Sequence, residues 1–292
     1  GLGQTPAFNP NTQENLANAW SNIFYNSAYE PGSTLKTFTM SIMTENNIYK
    51  PESYYKSGSY KVEDAIIYDW NKTGWGTITQ RHGFQQSSNT LMLTLLNELG
   101  TEKLKTGLEN FGFGKSTNSL YGNEATGELA FSNKVSASTT VFGQGSTVTA
   151  IQMVQAETAL LNDGEMLAPY FLQRIHDKTI DRDVNIGQRT VVGNPISKNT
   201  ADIMKQELYG VVNGPWAQGG KRYAVDNYST SGKTGTAEVV DPKTGTYYKS
   251  QYQVLHSFIG YAPSEDPQVI LYVGLKLPSK KLGESYANGA SE

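Results

Sequence analysis

A serine and a lysine stand three positions apart in the stretch EPGSTLKTF, residues 30–38. The apolar residues that follow, such as Met40 and Met43, have helical spacing, so Ser33 and Lys36 share one face of a helix. A serine hydroxyl is a weak nucleophile until a base removes its proton, and a neutral lysine is such a base when burial or a nearby positive charge lowers its pKa. The spacing therefore predicts Ser33 as a nucleophile and Lys36 as its general base.

Other chemistries fit the sequence less well. The GKT at 232–234 and the GKS at 114–116 lack the glycine that a phosphate loop has five positions upstream, where Asn227 and Glu109 stand instead. The chain has no cysteine, which excludes a thiol nucleophile, a disulfide framework and cysteine-ligated zinc. Its histidines match no zinc spacing, and a Ser-His-Asp triad would lack the G-x-S-x-G elbow. Lysine-based chemistry remains, and we expect neither a metal nor a cofactor.

Length and charge narrow the class of protein. The chain has 292 residues, 37% of them hydrophobic and 17% charged, which predicts one domain, residues 1–292, in two lobes. The formal net charge is −3 and the basic residues are scattered, so we expect no nucleic-acid partner. The sequence has no long apolar run and no basic-then-apolar leader. We therefore expect the chain as given to be soluble, although it can derive from a membrane-anchored parent.

The hydrophobic pattern changes along the chain from helical to strand-like. Residues 51–80 predict a hairpin or lid between helices, and residues 111–146 are rich in glycine and serine. A β-meander is predicted after residue 230, so the expected fold class is α+β, with helices packed on an antiparallel sheet. The predicted helices cover 11–29, 33–45, 89–100, 101–110, 147–163 and 199–212. The predicted strands are KTGTAEVV from Lys233, YQVLHSFIGYA at 252–262 and VILYVGL at 269–275.

The S-x-x-K motif occurs twice, so its context has to decide which copy is reactive. Ser33 opens an apolar helix, whereas Ser53 and Lys56 lead into a Gly-Ser stretch that is typical of a solvated loop. We therefore expect the reactive pair to be Ser33 and Lys36.

An S-x-N motif occurs at three places. Ser87 and Asn89 stand in GFQQSSNTLM, directly before an apolar helix, where a loop can point both side chains into a cleft; the alternative is that they cap the helix. The copies at Ser116 and Ser197 have no comparable apolar helix behind them. The sequence thus favours Ser87 and Asn89.

K-T-G occurs at four places. Lys233 begins a predicted strand, whereas Lys243 lies in Asp-Pro-Lys-Thr-Gly, the pattern of the turn that follows this strand. Lys72 and Lys105 lie in loop-like and helical surroundings. We therefore expect Lys233 to belong to the site and Lys243 to lie outside it.

The three chosen motifs follow one another in the order Ser33-x-x-Lys36, Ser87-x-Asn89, Lys233-Thr-Gly-Thr. β-Lactamases and penicillin-binding proteins have this set of motifs. Over nearly its whole length the sequence resembles class B penicillin-binding proteins, the monofunctional D,D-transpeptidases, and among them the division-type enzymes of Gram-positive bacteria. The stretches that carry the resemblance are FNPNT at 8–12, YEPGSTLK at 29–36, IIYDWN at 66–71, GFQQSSN at 83–89, FGQGSTVTAIQM at 142–153 and SGKTGTA at 231–237. One departure is Thr234, where the class more often has serine; both residues carry a hydroxyl.

The resemblance implies the transpeptidase fold that is shared with serine β-lactamases, with the KTGT strand at one edge of the sheet and an all-helical lobe beside it. It also implies that Ser33 is acylated by the penultimate D-Ala of a peptidoglycan stem peptide, with Lys36 as general base. Ser87 would relay a proton to the leaving D-Ala amine, and Asn89 would hold the substrate amide. Lys233 would supply positive potential and depress the pKa of Lys36.

The remaining expected contacts are with the substrate backbone and its carboxylate. The hydroxyls of Thr234 and Thr236 would bind the terminal carboxylate, and the backbone N–H groups of Ser33 and Thr236 would form the oxyanion hole. A substrate beside Thr234, Gly235 and Thr236 would add to the strand as a further strand. Trp70 and Gln144 match family positions near the cleft, although each can equally be a packing residue.

Three other activities share this acylation chemistry. A serine β-lactamase differs in rapid deacylation, but 146 residues separate Ser87 from Lys233, more than in that family. A D,D-carboxypeptidase would transfer the acyl group to water. A penicilloyl-binding sensor domain would be acylated without turnover. Sensor domains usually resemble class D β-lactamases, however, and the long region 90–230 argues against that branch.

The resemblance implies partners and a location as well. The expected ligands are peptidoglycan stem peptides and β-lactam antibiotics, and the expected location is the extracytoplasmic face of the bacterial membrane. Other cell-division proteins would bind the parent protein.

The last predicted strand raises a separate question. VILYVGL at 269–275 is almost continuously apolar, which is typical of a strand covered on both faces and paired on both edges. The chain offers it one long neighbour, 252–262, with the KTGT strand beyond. We therefore expect that the domain lacks an N-terminal β-hairpin, and that the free edge is filled by an N-terminal fragment of the same protein, by a neighbouring molecule, or by nothing.

Overall fold

The computed structural model describes residues 1–119, 123–217, 221–250 and 253–278. A 3-10 turn spans Gly32–Leu35. The helices are α1 Leu16–Ala19, α2 Ile23–Asn26, α3 Lys36–Glu45, α4 Gln80–Gln85, α5 Asn89–Leu99, α6 Thr101–Asn110, α7 Lys134–Thr140, α8 Ala150–Leu161 and α9 Lys198–Asn213. The strands are β1 Tyr54–Lys56, β2 Ser59–Val62, β3 Ala65–Tyr68, β4 Thr77–Thr79, β5 Met166–Leu167, β6 Arg174–Asp177, β7 Arg182–Asn185, β8 Val191–Gly193, β9 Ser231–Glu238, β10 Val254–Ala262 and β11 Val269–Lys276.

The largest sheet is an antiparallel meander in the order β11-β10-β9. Lys233 of β9 lies opposite Ile259 of β10, and Phe258 of β10 lies opposite Val273 of β11. Helix α9 packs on β9, α8 packs on β11, and α3 packs on α9. The prediction of an α+β fold with the KTGT strand at one edge of the sheet is therefore confirmed.

Helix α3 runs through the middle of the core. Lys36 and every residue after it as far as Thr44 are buried. The ring of Phe38 lies 5.3 Å from that of Phe111 and 5.2 Å from that of Phe113, distances typical of favourable aromatic pairs. This packing fixes α3 and with it the position of Lys36, its first residue.

Helix α5 begins and ends where its sequence predicts. The hydroxyl of Ser88 accepts a hydrogen bond from the N–H of Leu91 and so caps the helix, and Gly100 follows its last residue with a positive φ of 86°. The predicted helices at 33–45, 101–110, 147–163 and 199–212 are confirmed, with ends that differ by a few residues.

One local prediction is wrong, one is confirmed, and one region holds a helix that was not predicted. The region 11–29 forms only the single-turn helices α1 and α2 instead of one helix. The hairpin predicted within 51–80 is confirmed: β2 and β3 pair as an antiparallel hairpin, β1 pairs with β4, and α4 begins at Gln80. The Gly-Ser-rich region 111–146 contains α7, which Asn133 and Ser136 start with a reciprocal capping box. Short elements of this kind carry too little periodicity to be recognised.

Among the described residues, the strand at 269–275 has the free edge that the sequence predicts, but the coverage expected on both of its faces is wrong. β11 has β10 as its one neighbour, and no described residue pairs with its other edge. Along its outer face Val269 is 62% exposed and Leu271 57% exposed. Its inner face contacts the core through Tyr272, whose ring lies 6.2 Å from that of Tyr29. Residues 254–262 do form its predicted neighbour; Gln251 and Tyr252 lie outside the described residues.

Candidate active site

Close contacts between backbones set the position of Ser33. Gly32 has a φ of +57°, and its N–H donates a 2.9 Å hydrogen bond to the carbonyl oxygen of Gly143. A Cβ on Gly32 would lie 2.6 Å from the carbonyl oxygen of Thr236, and one on Gly143 would lie 1.9 Å from that of Gly32. Glycine is therefore required at both positions, and the Ser33 turn lies directly beside β9.

The K-T-G strand presents two different faces. Lys233 and Gly235 are buried, whereas Thr234 is half-buried and Thr236 exposed. A Cβ on Gly235 would lie 2.9 Å from Cγ2 of Thr34, so this face packs tightly on the Ser33 turn. The alternation of a strand therefore places the two threonine hydroxyls on the accessible face.

Lys36 is fully buried at the start of α3. Its Nζ donates hydrogen bonds to the carbonyl oxygen of Ser87 at 2.7 Å, to Oγ of Ser87 at 3.3 Å and to Oδ1 of Asn89 at 2.7 Å. Asn89 is also held at its other end, where Nδ2 donates to the carbonyl oxygen of Tyr68. The S-x-x-K and S-x-N motifs are thus in direct contact. Ser33 is not among the three acceptors of Lys36.

Lys233 reaches the same hydroxyl from the opposite side. It is fully buried, and its Nζ donates to Oγ of Ser87 at 2.8 Å and to the carbonyl oxygen of Thr234 at 2.9 Å. Ser87 has a φ of +56°, a conformation that is strained for a residue with a side chain. This conformation belongs to the turn that places its hydroxyl between two amines.

Burial lowers the pKa of both lysines because the charged form loses its hydration. The pKa of Lys36 is well below its usual value, through burial first and the nearby charge of Lys233 second, while the charge of Asp69 opposes the shift. Burial lowers the pKa of Lys233 to about 7. Both lysines are therefore closer to the neutral form than an exposed lysine is, and the charge of Lys233 adds to the effect of burial on Lys36.

Asp69 is a buried residue beside the site that the sequence does not single out. It is fully buried, and its carboxylate accepts four hydrogen bonds, from Oγ of Ser88, from both N and Oγ1 of Thr90, and from the backbone N–H of Gly58. These bonds tie the S-x-N turn to the β2-β3 hairpin. The one trace of it in the sequence is an aspartate that directly follows the apolar residues of IIYDWN.

The two weaker candidates lie at the rim of this cluster. Trp70 is 57% exposed and donates a 2.9 Å hydrogen bond from Nε1 to the carbonyl oxygen of Gln86. Gln144 is half-buried and follows Gly143, the residue whose carbonyl receives the Gly32 bond. Neither side chain joins the hydrogen bonds of the two lysines.

The rejected motif copies lie elsewhere. Ser53 precedes β1, so the predicted loop is wrong, but Lys56 on that strand is exposed. Ser116 hydrogen-bonds Glu124, and Ser197 caps α9 by accepting from the N–H of Thr200. Lys243 lies in the predicted turn.

Two clefts on the described part of the chain are separate from the lysine cluster. One has a volume of about 460 Å³ and lies between Asn110, Gln155 and β8; the other has about 450 Å³ and lies between α5 and α7. Within the described ranges no three His, Cys, Asp or Glu side chains converge as metal ligands would. No helix of the described chain has both the length and the apolar character needed to cross a bilayer.

Comparisons with known proteins agree with this geometry. The chain is 33% identical to stage V sporulation protein D of Bacillus subtilis (strain 168), over 95% of the chain and 43% of that protein. It is 27% identical to the peptidoglycan D,D-transpeptidase MrdA of Haemophilus influenzae, over 85% of the chain and 41% of that protein. The crystal structure of penicillin binding protein 2X from Streptococcus thermophilus superposes with a TM-score of 0.89 at 32% identity, over 98% of the chain and 44% of that protein.

The chain thus spans less than half the length of these relatives. The model of the penicillin binding protein transpeptidase domain matches residues 1–292, the whole sequence. That match agrees with the three motifs meeting at Ser87 and with the superposition, and the chain belongs to the penicillin-binding protein transpeptidase domain family.

Proposed function

We propose that this chain is the catalytic domain of a penicillin-sensitive D,D-transpeptidase, which cross-links peptidoglycan stem peptides through an acyl-enzyme on Ser33. The observation that supports this most strongly is the meeting of two buried lysines, Lys36 and Lys233, at the hydroxyl of Ser87. Lys36 starts the helix that follows the Ser33 turn, so a base stands one turn from the nucleophile.

Acylation begins with proton transfer from Oγ of Ser33 to neutral Lys36. A neutral amine has two N–H groups, so it can keep the two 2.7 Å bonds to Ser87 and Asn89 and turn its lone pair away from them. Oγ of Ser33 then attacks the carbonyl carbon of the penultimate D-Ala. The resulting oxyanion is bound by the backbone N–H groups of Ser33 and Thr236.

Collapse of this intermediate breaks the C–N bond, and the departing D-Ala amine needs a proton. Ser87 can donate its hydroxyl proton to that amine and take another from Lys36 or Lys233, since both contact its oxygen. In the second half-reaction an acceptor amine attacks the acyl carbon, and its proton returns along the same groups to Ser33.

Substrate recognition falls to the accessible face of β9. Lys233 supplies positive potential, and the hydroxyls of Thr234 and Thr236 hydrogen-bond the terminal carboxylate of the stem peptide. β9 is the outermost strand of its sheet, so an extended peptide can lie beside Gly235 and pair with the main chain. β-Lactams present a carboxylate and a reactive amide in the same arrangement and would acylate Ser33.

The acyl-enzyme formed with a β-lactam should persist. Asp69, whose charge acts on Lys36, has its carboxylate occupied by four hydrogen bonds and cannot serve as a second base for water. A transpeptidase therefore fits the site better than a β-lactamase. A D,D-carboxypeptidase and a sensor domain differ from a transpeptidase in the acceptor of the acyl group, which an acyl-transfer assay measures.

The proposed partners follow from the reaction. Stem peptides of the cell wall lie outside the cytoplasm, so the domain would act on the extracytoplasmic face of the membrane in its parent protein. Other cell-division proteins would assemble with that parent. An N-terminal fragment of the same protein is a candidate to pair with the bare edge of β11.

Mass spectrometry of the intact chain after incubation with a penicillin tests the proposal. We expect a stable adduct that peptide mapping places on Ser33; an adduct on Ser53 or Ser87 would show that the nucleophile is misassigned. Rapid release of the adduct would favour a β-lactamase. Transfer of the acyl group from a stem-peptide thioester to an amine rather than to water would separate a transpeptidase from a carboxypeptidase and from a sensor.

A further inference from the structure

The segment that follows helix α9 contacts both halves of the Ser87–Lys233 pair. Nδ2 of Asn213 donates a 2.8 Å hydrogen bond to the carbonyl oxygen of Thr230, the residue before β9. Nε2 of Gln86 donates a 2.8 Å bond to the carbonyl oxygen of Trp216. We call residues 213–216 the brace, because they link the K-T-G strand to the S-x-N turn.

The brace also packs closely on helix α4. A Cβ on Gly214 would lie 2.5 Å from Oε1 of Gln85, and one on Gly210 would lie 2.6 Å from its Nε2. The ring of His82 stacks on that of Trp216 with centroids 4.6 Å apart and an interplanar angle of 17°. The end of α9 and the residues before Ser87 therefore behave as one packed unit.

The two bonds of the brace hold the partners of the catalytic contact. Gln86 directly precedes Ser87, whose left-handed backbone needs support from its surroundings. Thr230 stands three residues before Lys233 on the same extended segment. Asn213 thus restrains the strand that carries Lys233, while Gln86 restrains the turn that carries Ser87.

We propose that Asn213 and Gln86 are positioning residues, which set the 2.8 Å distance between Oγ of Ser87 and Nζ of Lys233. Neither contacts a reacting atom. They act by keeping the proton path short, and such preorganisation raises the rate of the chemical step rather than the affinity for the substrate. The inference rests on the proposed acylation of Ser33 and goes beyond it by assigning roles to residues outside the three motifs.

The test separates acylation into the dissociation constant of the first complex with a chromogenic penicillin and the rate of the acylation step. The variants are Gln86→Met and Asn213→Leu, which remove the donors with little change in side-chain length. We expect each to lower the acylation rate about tenfold, the effect of one well-placed hydrogen bond, while the dissociation constant stays within about twofold.

Helix α8 offers a matched control. Nδ2 of Asn162, just after α8, donates to the carbonyl oxygen of Thr158, as Nδ2 of Asn213 donates to that of Tyr209. Asn162 lacks the second bond to a catalytic strand, so Asn162→Leu should lower the melting temperature like Asn213→Leu but leave the acylation rate unchanged.

The double variant Gln86→Met with Asn213→Leu adds a second criterion. Both residues act on the same Ser87–Lys233 contact. The acylation rate of the double variant should therefore fall by clearly less than the product of the two single-variant factors. Unchanged acylation rates in the single variants, a loss seen only in the dissociation constant, or an equal loss in Asn162→Leu would each overturn the inference. If the unmodified chain is not acylated at all, the proposed function itself fails.

Discussion

The hydroxyl oxygen of Ser87 lies 2.8 Å from Nζ of Lys233 and 3.3 Å from Nζ of Lys36. A hydroxyl oxygen has two lone pairs, so it can accept from both amines and keep its own proton for the departing D-Ala amine. In the proposed reactive state Lys36 is neutral and Lys233 is charged. Burial of both amines favours this state, since two adjacent buried ammonium groups would repel each other.

The first prediction tests the choice of lysines. Lys36→Ala removes the proposed base, so the rate of acylation by a labelled penicillin should fall by about a thousandfold. General base catalysis contributes an effect of this size. Lys243→Ala changes an exposed turn and should leave the rate within about twofold. Circular dichroism would verify that both variants fold. Comparable losses in the two would mean that Lys36 has no special role.

The second prediction concerns pH. As the pH rises through about 7, Lys233 loses its proton and with it the positive charge that attracts a carboxylate. On the acid side Lys36 becomes protonated and can no longer act as a base; its pKa is lowered by burial and by the charge of Lys233. A plot of the acylation rate against pH should therefore be bell-shaped. Because Lys36 and Lys233 interact, the apparent pKa values of its two limbs belong to the pair of lysines.

Lys233→Arg identifies the alkaline limb, because arginine keeps its charge at every pH that the protein tolerates. The rate should be lower overall, since the larger group disturbs the contact with Ser87, but the decline above pH 7 should disappear. An alkaline limb that persists in Lys233→Arg would show that another group controls it.

The third prediction concerns a buried glutamate on α8 that the mechanism does not use. Burial raises the pKa of Glu157 to about 8, and neither of its carboxylate oxygens has a hydrogen-bond partner. The folded state therefore holds a proton that the unfolded chain releases near pH 4.5. The contribution of protonated Glu157 to the free energy of unfolding is therefore complete below pH 4.5 and is lost as the pH rises through about 8.

Glu157→Gln should remove this dependence and make the fold more stable at pH 8, by up to about 4 kcal/mol, since one pKa unit corresponds to about 1.4 kcal/mol. Urea denaturation between pH 5 and 8.5 measures the difference. Glu98→Gln, at an exposed position of α5, is the control and should leave the slope unchanged. Parallel pH curves for Glu157→Gln and the unmodified chain would contradict the prediction.

The parts of the fold that the sequence predicts are those in which local pattern and tertiary packing agree. Helix α5 has an apolar run, a serine cap and a terminal glycine, and the structure follows all three. Residues 11–29 have apolar residues at helical spacing but form only two single turns, because helices of this length are marginal in water.

The site shows a similar division. Spacing and order predict that Lys36, Ser87, Asn89 and Lys233 belong to one site, because each lies at or near the start of a helix or strand that the sequence marks. Asp69 was not predicted, since its role arises from bonds to residues on both sides of it in the fold. In the sequence alone, Asp69 is only an acidic residue that follows an apolar strand, and nothing indicates that Gly58 and Thr90 will both bond to it.

The last prediction concerns the bare edge of β11. Its backbone donors and acceptors on that side have no partner within the described chain, and the adjoining outer face presents Val269, Leu271 and Val273 to solvent. An exposed, apolar edge strand is a template for pairing with another strand. The chain on its own should therefore self-associate at high concentration, with its weight-average mass rising in light scattering.

A lysine on this strand should suppress that association, because its charge opposes a second apolar strand at close distance. Leu271→Lys is the test, and Ile180→Lys is the control, since the two side chains are 57% and 56% exposed but Ile180 lies in the turn between β6 and β7. We expect Leu271→Lys to stay monomeric and Ile180→Lys to associate like the unmodified chain. A chain that stays monomeric without any substitution, or equal behaviour of the two variants, would show that the edge of β11 does not recruit a strand.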